Sequence, residues 1–482
     1  MGGVGAISSK LMLNDDFRPR FHLSPPTGRL NDPNGVFMKD GVLHVFYQHD
    51  PNFPVGPKRT GWGHASTPLK GERAGLWTHH PDALYPGMSY DVDGCYSGGA
   101  VVDGDSVRLF YTGNLKREGL RLPSQNVVSV EQPAGEMGGI YRRSPENPLI
   151  DGPEEGFTGH FRDPQVAKSA DGQWRMVLGA QRLDGTGAVV MYDSKDLHNW
   201  SFAGELSFDT STAEPGTSPD IVPAGYMWEC PGMVTMRDRE MGQACDVLML
   251  CPQGLKYDNR KGVDHYASSD QCGYLVGNLE GTTFHVRRGF SELDFGHDFY
   301  APQLVGVDDG SVHSAALLIG WMGLPGQDSA PSLEHGWVHT LSLPRRVELV
   351  GGRLRQQPWW SQLPQRGGED FPNVVREFSS TLGENSVNLE LRDTAGQVRF
   401  ELQWSPHPDG YGGRLCFNRI PDERLDDLSN QHHERVIECP QGPVYAIADG
   451  PTVEVFAGGN EIAVASRVFP SVGEQWGQWK CR

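Results

Sequence analysis

Five short apolar runs, repeated at nearly even intervals, constrain the fold of this 482-residue chain more than any other feature. Successive runs start about 65 to 72 residues apart, a spacing typical of repeated structural units. The runs are Val42–Tyr47, Val107–Tyr111, Trp174–Leu178, Asp246–Leu250 and Ala315–Trp321. Each unit has room for about four short strands, so the pattern predicts a propeller of five blades. A β-sandwich or jelly roll is the alternative, which the regular spacing favours less.

The composition fits an all-β protein and excludes several classes of partner. With 61 Gly, 35 Pro and an apolar fraction of 37%, short strands joined by turns are favoured over long helices. A net charge of −19 argues against nucleic acid or an anionic membrane as partner. No stretch approaches the roughly 20 apolar residues of a membrane span. Because Met1–Lys10 lacks the apolar core of a secretory signal and the eight cysteines form no CxxC pair, reduced thiols and a cytoplasmic location are expected.

The pattern changes after the fifth unit, which indicates a second domain. A polar stretch with two glycines at residues 366–370 is typical of a segment between domains. Beyond it, segments such as Thr452–Phe456 resemble half-buried antiparallel strands. We therefore predict a propeller over residues 15–352, a linker over 353–368 and a β-sandwich over 369–482.

A polar cluster with turn-forming Gly or Pro precedes each apolar run by about 11 to 18 residues. One such cluster per unit allows five groups from distant parts of the chain to converge on a shared centre. The clusters are Asn31–Gly35, Asp93–Gly98, Arg162–Pro164, Trp228–Pro231 and Asp298–Gln303.

Three of these clusters contain a carboxylate that is a candidate for catalysis: Asp32, Asp163 and Glu229. Each by itself fits a turn, a local ion pair or an exposed strand edge, since Asn, Pro and Gly favour tight turns. Together they occupy comparable places in different repeats. Glu229 follows Trp228, and partial desolvation beside an indole favours a protonated carboxyl. A protonated and an ionised carboxyl side by side are the groups that cleave an acetal.

Aromatic and amide residues near these clusters are of the types that stack on sugars and bind their hydroxyls. They are Gln48, Trp62, Tyr96 and Trp321. Blade packing is the ordinary role expected for most of the 12 tryptophans. The sequence lacks HExxH, Cys/His pairs at metal-binding spacing, a phosphate-binding glycine loop and a GxSxG elbow. A carbohydrate site without metal or organic cofactor is therefore expected.

At these residues the chain resembles the β-fructofuranosidase family, which comprises invertases, levanases, inulinases and sucrose-6-phosphate hydrolases. The resemblance starts with His22–Gly35 and covers nearly the whole chain. Further segments follow in the family's order: Phe46–Gln48, Trp62–His64, Tyr96–Gly98, Phe110–Gly113, Arg162–Pro164, Trp228–Pro231, Asp298–Gln303, Gly336–Trp337, Leu341–Arg345, Val453–Phe456 and Ser466–Pro470. It implies a five-bladed propeller followed by a β-sandwich, in agreement with the repeat count.

The resemblance also implies a reaction, in which a terminal β-D-fructofuranosyl unit is released with retained configuration. Sucrose or sucrose 6-phosphate is the expected substrate, a small sugar is the expected partner, and the sequence predicts no oligomeric state. Asp32 would be the nucleophile, Glu229 the general acid/base and Asp163 the transition-state stabiliser. Residues implied to orient the sugar are Asn31, Gln48, Ser97 and Arg162. We expect Arg162 to keep the neighbouring Asp163 ionised, and a retaining pair to lie roughly 5 to 5.5 Å apart.

Two other functions stay open at this point. A fructosyltransferase would use the same residues with an acceptor sugar in place of water. A non-catalytic carbohydrate-binding propeller would be free to lose a carboxylate, although all three are present. Val55 stands where many relatives carry Trp, so an aromatic wall of the leaving-group side is expected to be missing. Lys58 and Arg59 would suit a phosphorylated leaving sugar, although adjacent basic residues are more often a solvated surface.

Overall fold

Short strands make up nearly all of the computed structural model, as the repeats predict. It describes residues 15–133, 138–169, 172–266, 268–308, 310–360, 375–426 and 432–481. Within those ranges the helical structure is one 3-10 helix, Pro331–His335. That turn of helix is neither long nor apolar enough to cross a bilayer, and the described ranges contain no other candidate.

Five sheets, called here blades I to V, follow one another along the chain. Blade I contains β1 (Gly28–Lys39), β2 (Val42–Asp50), β3 (Gly61–Pro68) and β4 (Thr78–Leu84). Blade II contains β5 (Cys95–Tyr96), β6 (Ala100–Asp103), β7 (Ser106–Arg117), β8 (Leu120–Glu131), β9 (Ile140–Arg143) and β10 (Ile150–Asp151). Blade III contains β11 (Phe157–Lys168), β12 (Trp174–Arg182), β13 (Gly187–Ser194) and β14 (Ser201–Glu205).

The last two blades carry additions to this plan. Blade IV contains β15 (Ser207–Asp209), β16 (Met227–Arg237), β17 (Ala244–Gln253), β20 (Gly273–Glu280) and β21 (Thr283–Glu292), and a ribbon of β18 (Asp258–Arg260) and β19 (Val263–His265) is inserted in it. Blade V contains β22 (Tyr300–Gly306), β23 (Ala316–Met322), β25 (Thr340–Leu341), β26 (Arg345–Val350) and β27 (Arg353–Pro358).

The blades close into a ring through their innermost strands. In turn β1 contacts β6, β6 contacts β11, β11 contacts β16, β16 contacts β22, and β22 contacts β1. The ring is tied again by β24 (Trp337–Val338), which follows the 3-10 helix and pairs in parallel with β1. The prediction of a five-bladed propeller is confirmed.

The apolar runs of the sequence lie in the second strands of the blades, where both faces are covered by neighbouring sheets. Every residue of β23 is buried, as are nearly all of β17. Continuous apolar runs are what a strand covered on both faces requires. The polar clusters, in contrast, lie on or beside the innermost strands, which surround the centre of the ring.

The second domain is a β-sandwich, also as predicted. One sheet contains β28 (Arg376–Leu382), β33 (Gly442–Asp449), β34 (Thr452–Ala457) and β35 (Ile462–Arg467). The other contains β29 (Val387–Asp393), β30 (Val398–Pro406), β31 (Gly413–Arg419), β32 (Glu434–Cys439) and β36 (Trp476–Cys481). Leu389, Phe400 and Val455 belong to the apolar core between these sheets.

The start of the predicted linker differs from the structure. Residues 353–358 form strand β27, which pairs with β26 along its whole length and so completes blade V. Alternating burial of β27, with Leu354 and Gln356 inward, is the reason that this segment stays in the sheet. Residues 361–368 of the predicted linker lie outside the described residues. We propose that the propeller ends at Pro358.

Buried ion pairs join the two domains. Arg345 of β26 donates from Nη2 to Glu454 Oε2 of β34 at 2.6 Å, and the same Nη2 lies 2.8 Å from Asp294 Oδ2. Asp298, just before β22, accepts from the Arg419 side chain and from the backbone N–H of Arg467. Because a buried charge without a partner costs several kcal/mol, these pairs favour a single way of docking the sandwich.

Candidate active site

Four innermost strands share an irregularity, a β-bulge at a proline. The ladder register shifts between Leu30 and Pro33, Arg162 and Gln165, Glu229 and Gly232, and Tyr300 and Gln303. Proline has no N–H to give to the ladder, and a bulge is a place where a strand tolerates it. The residues that precede the four prolines are Asn31-Asp32, Arg162-Asp163, Glu229-Cys230 and Tyr300-Ala301.

Three of the bulges contain a residue in the left-handed region. The φ angle is 68° at Asp163, 44° at Cys230 and 47° at Ala301. A side chain makes this conformation unfavourable, so it persists only where the surrounding structure imposes it. The bend changes the direction of successive side chains, and groups from different blades thereby come into contact at the centre of the ring.

Asp32 has both carboxylate oxygens held by donors. Asn31 donates from Nδ2 to Oδ1 at 2.9 Å, and Ser97 donates from Oγ to Oδ2 at 2.5 Å. Gln48 of β2 connects these two donors, since its Nε2 donates to Ser97 Oγ at 2.5 Å and its Oε1 accepts from Asn31 at 3.0 Å. Asn31, Gln48 and Ser97, all predicted from the sequence, therefore form one hydrogen-bonded group with the predicted nucleophile.

Glu229 contacts residues of two neighbouring blades. Arg162 donates to its Oε1 from Nε at 3.0 Å and from Nη2 at 2.6 Å. Tyr300 of β22 donates from its hydroxyl to Oε2 at 2.8 Å. The other end of the guanidinium, Nη1, donates to Nδ1 of His160 at 3.0 Å. Burial and the charge of Arg162 lower the pKa of His160 to about 4, so the imidazole is neutral and accepts this bond.

Asp163 is held mainly by backbone groups. Its Oδ2 accepts from the backbone N–H of Cys230 at 3.0 Å, and its own N–H donates to Thr112 Oγ1 at 3.0 Å. Arg162 Nε lies 3.9 Å from Asp163 Oδ2, beyond hydrogen-bond distance. We expected Arg162 to pair with the adjacent Asp163. The guanidinium instead hydrogen-bonds Glu229, because the bulge of β16 brings that side chain closer.

Burial and the charge of Glu229 affect the pKa of both aspartates in the same direction. Burial raises the pKa of Asp163 to about 7, an effect that Arg162 opposes and Glu229 increases. Burial also raises the pKa of Asp32, while the hydrogen bond from Ser97 lowers it and the charge of Glu229 raises it. Both aspartates therefore take up a proton more readily than an exposed carboxyl does.

The aromatic residues predicted from the sequence lie at different depths. Trp62 is fully buried among apolar side chains of blades I and II, and its Nε1 donates to the backbone oxygen of Tyr96 at 3.2 Å. The ring cannot contact a sugar from there, so Trp62 supports the site from below. Tyr96 is half-buried, with the guanidinium of Arg121 5.8 Å from its ring.

Trp321 lies edge-on to Tyr300 and to His339, with ring centroids 6.4 and 5.1 Å apart. Its Nε1–H is buried and has no hydrogen-bond partner among the described residues. A buried donor without a partner is unfavourable unless something else binds it. Trp321 thus keeps an unused donor, but its Nε1 is shielded from solvent as the ring of Trp62 is, so neither tryptophan presents an open face to a ligand.

The sequence analysis missed three residues that contact Glu229, Arg162 or Asp163. Tyr300 is the main one, and a signal for it exists, because it stands two residues before a proline as Glu229 and Arg162 do. Thr112 has no comparable signal, since only the packing of blades II and III brings it to the backbone N–H of Asp163. His160 lies two residues before Arg162 on the same strand, β11.

The loop between β2 and β3 contains Val55 and the two basic residues Lys58 and Arg59. Val55 is 94% exposed, so it builds no wall over the site. Arg59 lies over the ring of Tyr85 at 5.3 Å. Lys58 has a lowered pKa because of partial burial and the positive charges of Arg29 and Lys116. Of the two basic residues that would suit a phosphate if the loop were not simply solvated, Lys58 has both cations and the carboxylates of Asp50 and Asp328 near it.

The arrangement suits acid/base and nucleophilic chemistry on an acetal. Two side-chain donors hold the carboxylate of Asp32, and the carboxyl of Glu229 lies between a guanidinium and a phenol. The carboxyl of Asp163 accepts a hydrogen bond from a backbone N–H. Among the described residues, no three His, Cys, Asp or Glu side chains are grouped so as to hold a metal ion.

Comparison with known proteins gives consistent results. Residues 22–358 match the model of the N-terminal domain of glycosyl hydrolases family 32. The sucrose-6-phosphate hydrolase of Bacillus subtilis is 33% identical over 478 residues, which cover 95% of this chain and 90% of that protein. The sucrose-6-phosphate hydrolase of Escherichia coli is 34% identical over 479 residues, with 95% and 91% covered.

Solved structures resemble the chain over its whole length. The sucrose-6-phosphate hydrolase of Lactobacillus gasseri has a TM-score of 0.73 at 25% identity, covering 99% of this chain and 93% of that one. A family 32 β-fructofuranosidase of Bombyx mori has a TM-score of 0.71 at 28% identity, with 99% and 96% covered. The similarity includes both the propeller and the sandwich.

Proposed function

The chain belongs to glycosyl hydrolase family 32, and from that premise we propose that it hydrolyses β-D-fructofuranosides with Asp32 as nucleophile. In this proposal Glu229 is the general acid/base and Asp163 stabilises the transition state. The observation that carries the assignment is the different surroundings of the two reacting carboxyls. Asp32 accepts hydrogen bonds on both oxygens, whereas Glu229 has a guanidinium on Oε1 and a single phenol on Oε2.

In the first step Asp32 attacks the anomeric carbon of the fructosyl unit, while Glu229 protonates the departing oxygen. Oε2 of Glu229 has the capacity to deliver the proton, because Oε1 is occupied by two bonds from Arg162. The positive charge that develops on the ring is stabilised by nearby carboxylates. Asp163, held by the N–H of Cys230, is placed for this purpose and for binding fructosyl hydroxyls.

In the second step Glu229 removes a proton from water, which attacks the anomeric carbon and breaks the ester bond to Asp32. Two displacements on the same carbon retain its configuration. Asn31 and Ser97 donate hydrogen bonds to Asp32 and so stabilise the carboxylate as it leaves the anomeric carbon. The separation of roughly 5 to 5.5 Å between the two carboxyl groups remains a prediction of this mechanism.

The substrate we propose is sucrose 6-phosphate, with sucrose as the related neutral substrate. The curated relatives described above are named for the phosphorylated sugar. Lys58 supports the proposal, since its ammonium can pair with a phosphate and Arg29 and Lys116 add positive charge nearby, which the carboxylates of Asp328 and Asp50 partly offset. A phosphorylated sugar does not cross a bilayer unaided, because its charge is poorly tolerated in hydrocarbon. This substrate therefore agrees with a cytoplasmic location.

The test is a comparison of kcat/KM on sucrose and sucrose 6-phosphate, with methanol present to trap the transferred unit. We expect a preference for the phosphate and methyl β-D-fructofuranoside as the trapped product. Asp32→Asn and Glu229→Gln should lower kcat by about 10³-fold or more. Glu205→Gln is the matched control, because Arg182 binds Glu205 Oε1 through Nε and Nη2 at 2.9 and 2.6 Å, outside the site.

Each alternative result has a defined meaning. An inverted product would contradict Asp32 as nucleophile. A preference for free sucrose would reject the phosphate-binding role of Lys58. Binding of sugar without turnover by the parent would favour a carbohydrate-binding propeller, and oligofructosides formed at high sucrose would indicate a fructosyltransferase.

A further inference from the structure

Arg29 begins a continuous chain of hydrogen bonds that ends on Asp32. Its Nη1 donates to Asn31 Oδ1 at 2.8 Å. Asn31 Nδ2 donates to Gln48 Oε1, and Gln48 Nε2 donates to Ser97 Oγ. Ser97 Oγ then donates to Asp32 Oδ2, while Asn31 Nδ2 also donates directly to Asp32 Oδ1. Both branches from Arg29 thus reach the carboxylate.

The chain has one possible direction because of the groups at its two ends. A guanidinium only donates hydrogen bonds, and an ionised carboxylate only accepts them. Amides and hydroxyls can do both, so Asn31, Gln48 and Ser97 would otherwise be free to reverse. With Arg29 at the start, the carbonyl of Asn31 must face the guanidinium and its NH₂ group must face Asp32. Directed chains of this kind strengthen each of their bonds.

The second observation is that Arg29 is itself held in place by residues near the fifth blade. Its Nε donates to Asp328 Oδ1 at 2.6 Å, and its guanidinium lies 5.5 Å from the ring of Trp321. His339 Nε2 lies 3.3 Å from the same Asp328 oxygen, and burial lowers the pKa of His339 to about 3. A neutral His339 donates to Asp328 and accepts from Arg467 of the sandwich on Nδ1, at 3.3 Å.

We propose that Arg29, anchored by Asp328, is a positioning residue that fixes the hydrogen-bond direction around the nucleophile Asp32. This inference rests on the proposed function and extends it to a residue two positions outside the catalytic pair Asn31-Asp32. It matters most after the first step, when Asp32 is a neutral ester and orients Asn31 more weakly than a carboxylate does. Arg29 then holds the amide in place until the carboxylate is released.

The charges near Arg29 and near Asp32, the two ends of the hydrogen-bond chain, determine the effect of replacing Arg29. Glu229, Asp163 and the thiols of Cys230 and Cys251 face Asp32 from blades III and IV. Arg29 is the nearby cation that lowers the pKa of Asp32 against burial and Glu229. Asp328, His339 and Lys58 are the groups that face Arg29. Without Arg29, Asp32 is expected to take up a proton at higher pH.

The experiment compares the parent with Arg29→Met, Arg29→Lys and Asp328→Asn in the full chain. In Arg29→Met the acid limb of kcat/KM should move up by about half a pH unit or more, and kcat should fall about tenfold. Arg29→Lys should restore the limb but only part of kcat, because an ammonium lacks the planar fork. Asp328→Asn should lower kcat as Arg29→Met does, and by less, but it should not raise the acid limb, because it removes a negative charge and keeps the guanidinium.

Arg175→Met is the matched control. Arg175 pairs with Asp193 through Nε at 2.9 Å, and the side-chain exposures of 19% and 34% resemble the 15% and 40% of the Arg29–Asp328 pair. This pair lies across β12 and β13, outside the hydrogen-bond chain. Thermal unfolding of all variants separates a loss of fold from a loss of position, and Arg175→Met should keep the parent's pH profile.

A second measurement does not depend on turnover. Calorimetric binding of a cationic iminosugar of furanose shape weakens as Asp32 takes up a proton, and its midpoint pH reports on the carboxylate in each variant. An unchanged midpoint and acid limb in Arg29→Met, with the parent active, would reject the role of Arg29 and leave the proposed function standing. A parent that neither hydrolyses fructosides nor binds the iminosugar would overturn the function itself and the inference with it.

Discussion

At the scale of single residues, the two oxygens of the Glu229 carboxyl group are bound by different side chains. Its Oε1 accepts two bonds from Arg162, and its Oε2 accepts one from Tyr300. A general acid that later acts as base needs an oxygen that can change its proton without losing its position. In the proposed mechanism the phenol of Tyr300 meets that need, because it holds Oε2 with one hydrogen bond and leaves a second lone pair of that oxygen for the proton.

We predict that Tyr300→Phe lowers kcat about tenfold and changes KM little. The reason is that the variant keeps the ring and loses only the donor that positions the reactive oxygen of Glu229. Steady-state kinetics on the preferred substrate measures this. Tyr192→Phe is the control, since Tyr192 also donates to a glutamate, Glu154 Oε1 at 2.7 Å, but outside the site. Equal losses in both variants would show that Tyr300 has only a structural role.

At the scale of elements, the innermost strands depend on close contact between adjacent blades. Gly35 follows the bulge of β1 with a φ of 50°, and its N–H donates to the backbone oxygen of Gly98 in blade II at 3.0 Å. A Cβ atom there would lie 3.0 Å from Trp62 Cζ3 and 3.0 Å from Leu109 Cδ2. The glycine thus permits both the left-handed backbone and the approach of the two blades.

Gly35→Ala is therefore expected to destabilise the fold by about 2 to 4 kcal/mol, the sum of backbone strain and overpacking. Gly104→Ala separates the two effects, because Gly104 has a φ of 58° and a Cβ atom there would have no neighbour within 4 Å. It should lose only about 1 to 2 kcal/mol. Urea unfolding followed by tryptophan fluorescence gives both values. Similar losses would mean that the blade contact is not tight at Gly35.

For the whole molecule, His22 connects the start of the propeller to the sandwich. Its ring nitrogens lie 2.8 Å from Asp449 Oδ2 and 2.9 Å from Glu454 Oε1, with all three side chains fully buried. Burial opposes a charge on the imidazole, but the hydrogen bonds to Asp449 and Glu454 prevail and raise the pKa of His22 to about 9. The protonated form is thus part of the folded state.

A pKa raised from 6.5 to about 9 makes the stability contribution of His22 depend on pH in a defined direction. The contribution is complete below about pH 6.5 and is lost as pH rises through about 9. His22→Gln should cost about 3 kcal/mol at pH 6, and the difference from the parent should shrink toward pH 9. Urea unfolding across this range measures it. A difference that stays constant with pH would contradict a charged His22.

His285→Gln provides the comparison on the surface. His285 pairs with Asp209 at 3.0 Å, and its side chain is 43% exposed. Exposed pairs contribute at most about 1 kcal/mol, so this variant should differ little from the parent at any pH in the range.

Local patterns determined much of this protein. Apolar runs at even spacing are a direct consequence of strands covered on both faces, and they predicted five blades without any tertiary information. The Pro-containing clusters marked the bulges, and so Asp32, Asp163 and Glu229 were found as candidates. The catalytic roles of these residues remain predictions that the proposed variants test.

Contacts between blades could not be predicted in the same way, because they join residues that are far apart in the chain. No local pattern predicts that Arg162 binds Glu229 and not the adjacent Asp163. Trp62 is of a type that often stacks on sugars, but here it is buried. Arg29 and Asp328 are separated by 299 positions and meet because blade V closes against blade I. The sequence by itself determined which residues are available to the site, since strand periodicity and turn chemistry are local. Only the closure of the ring decided which of them donate to which carboxylate, since that depends on distances set by packing.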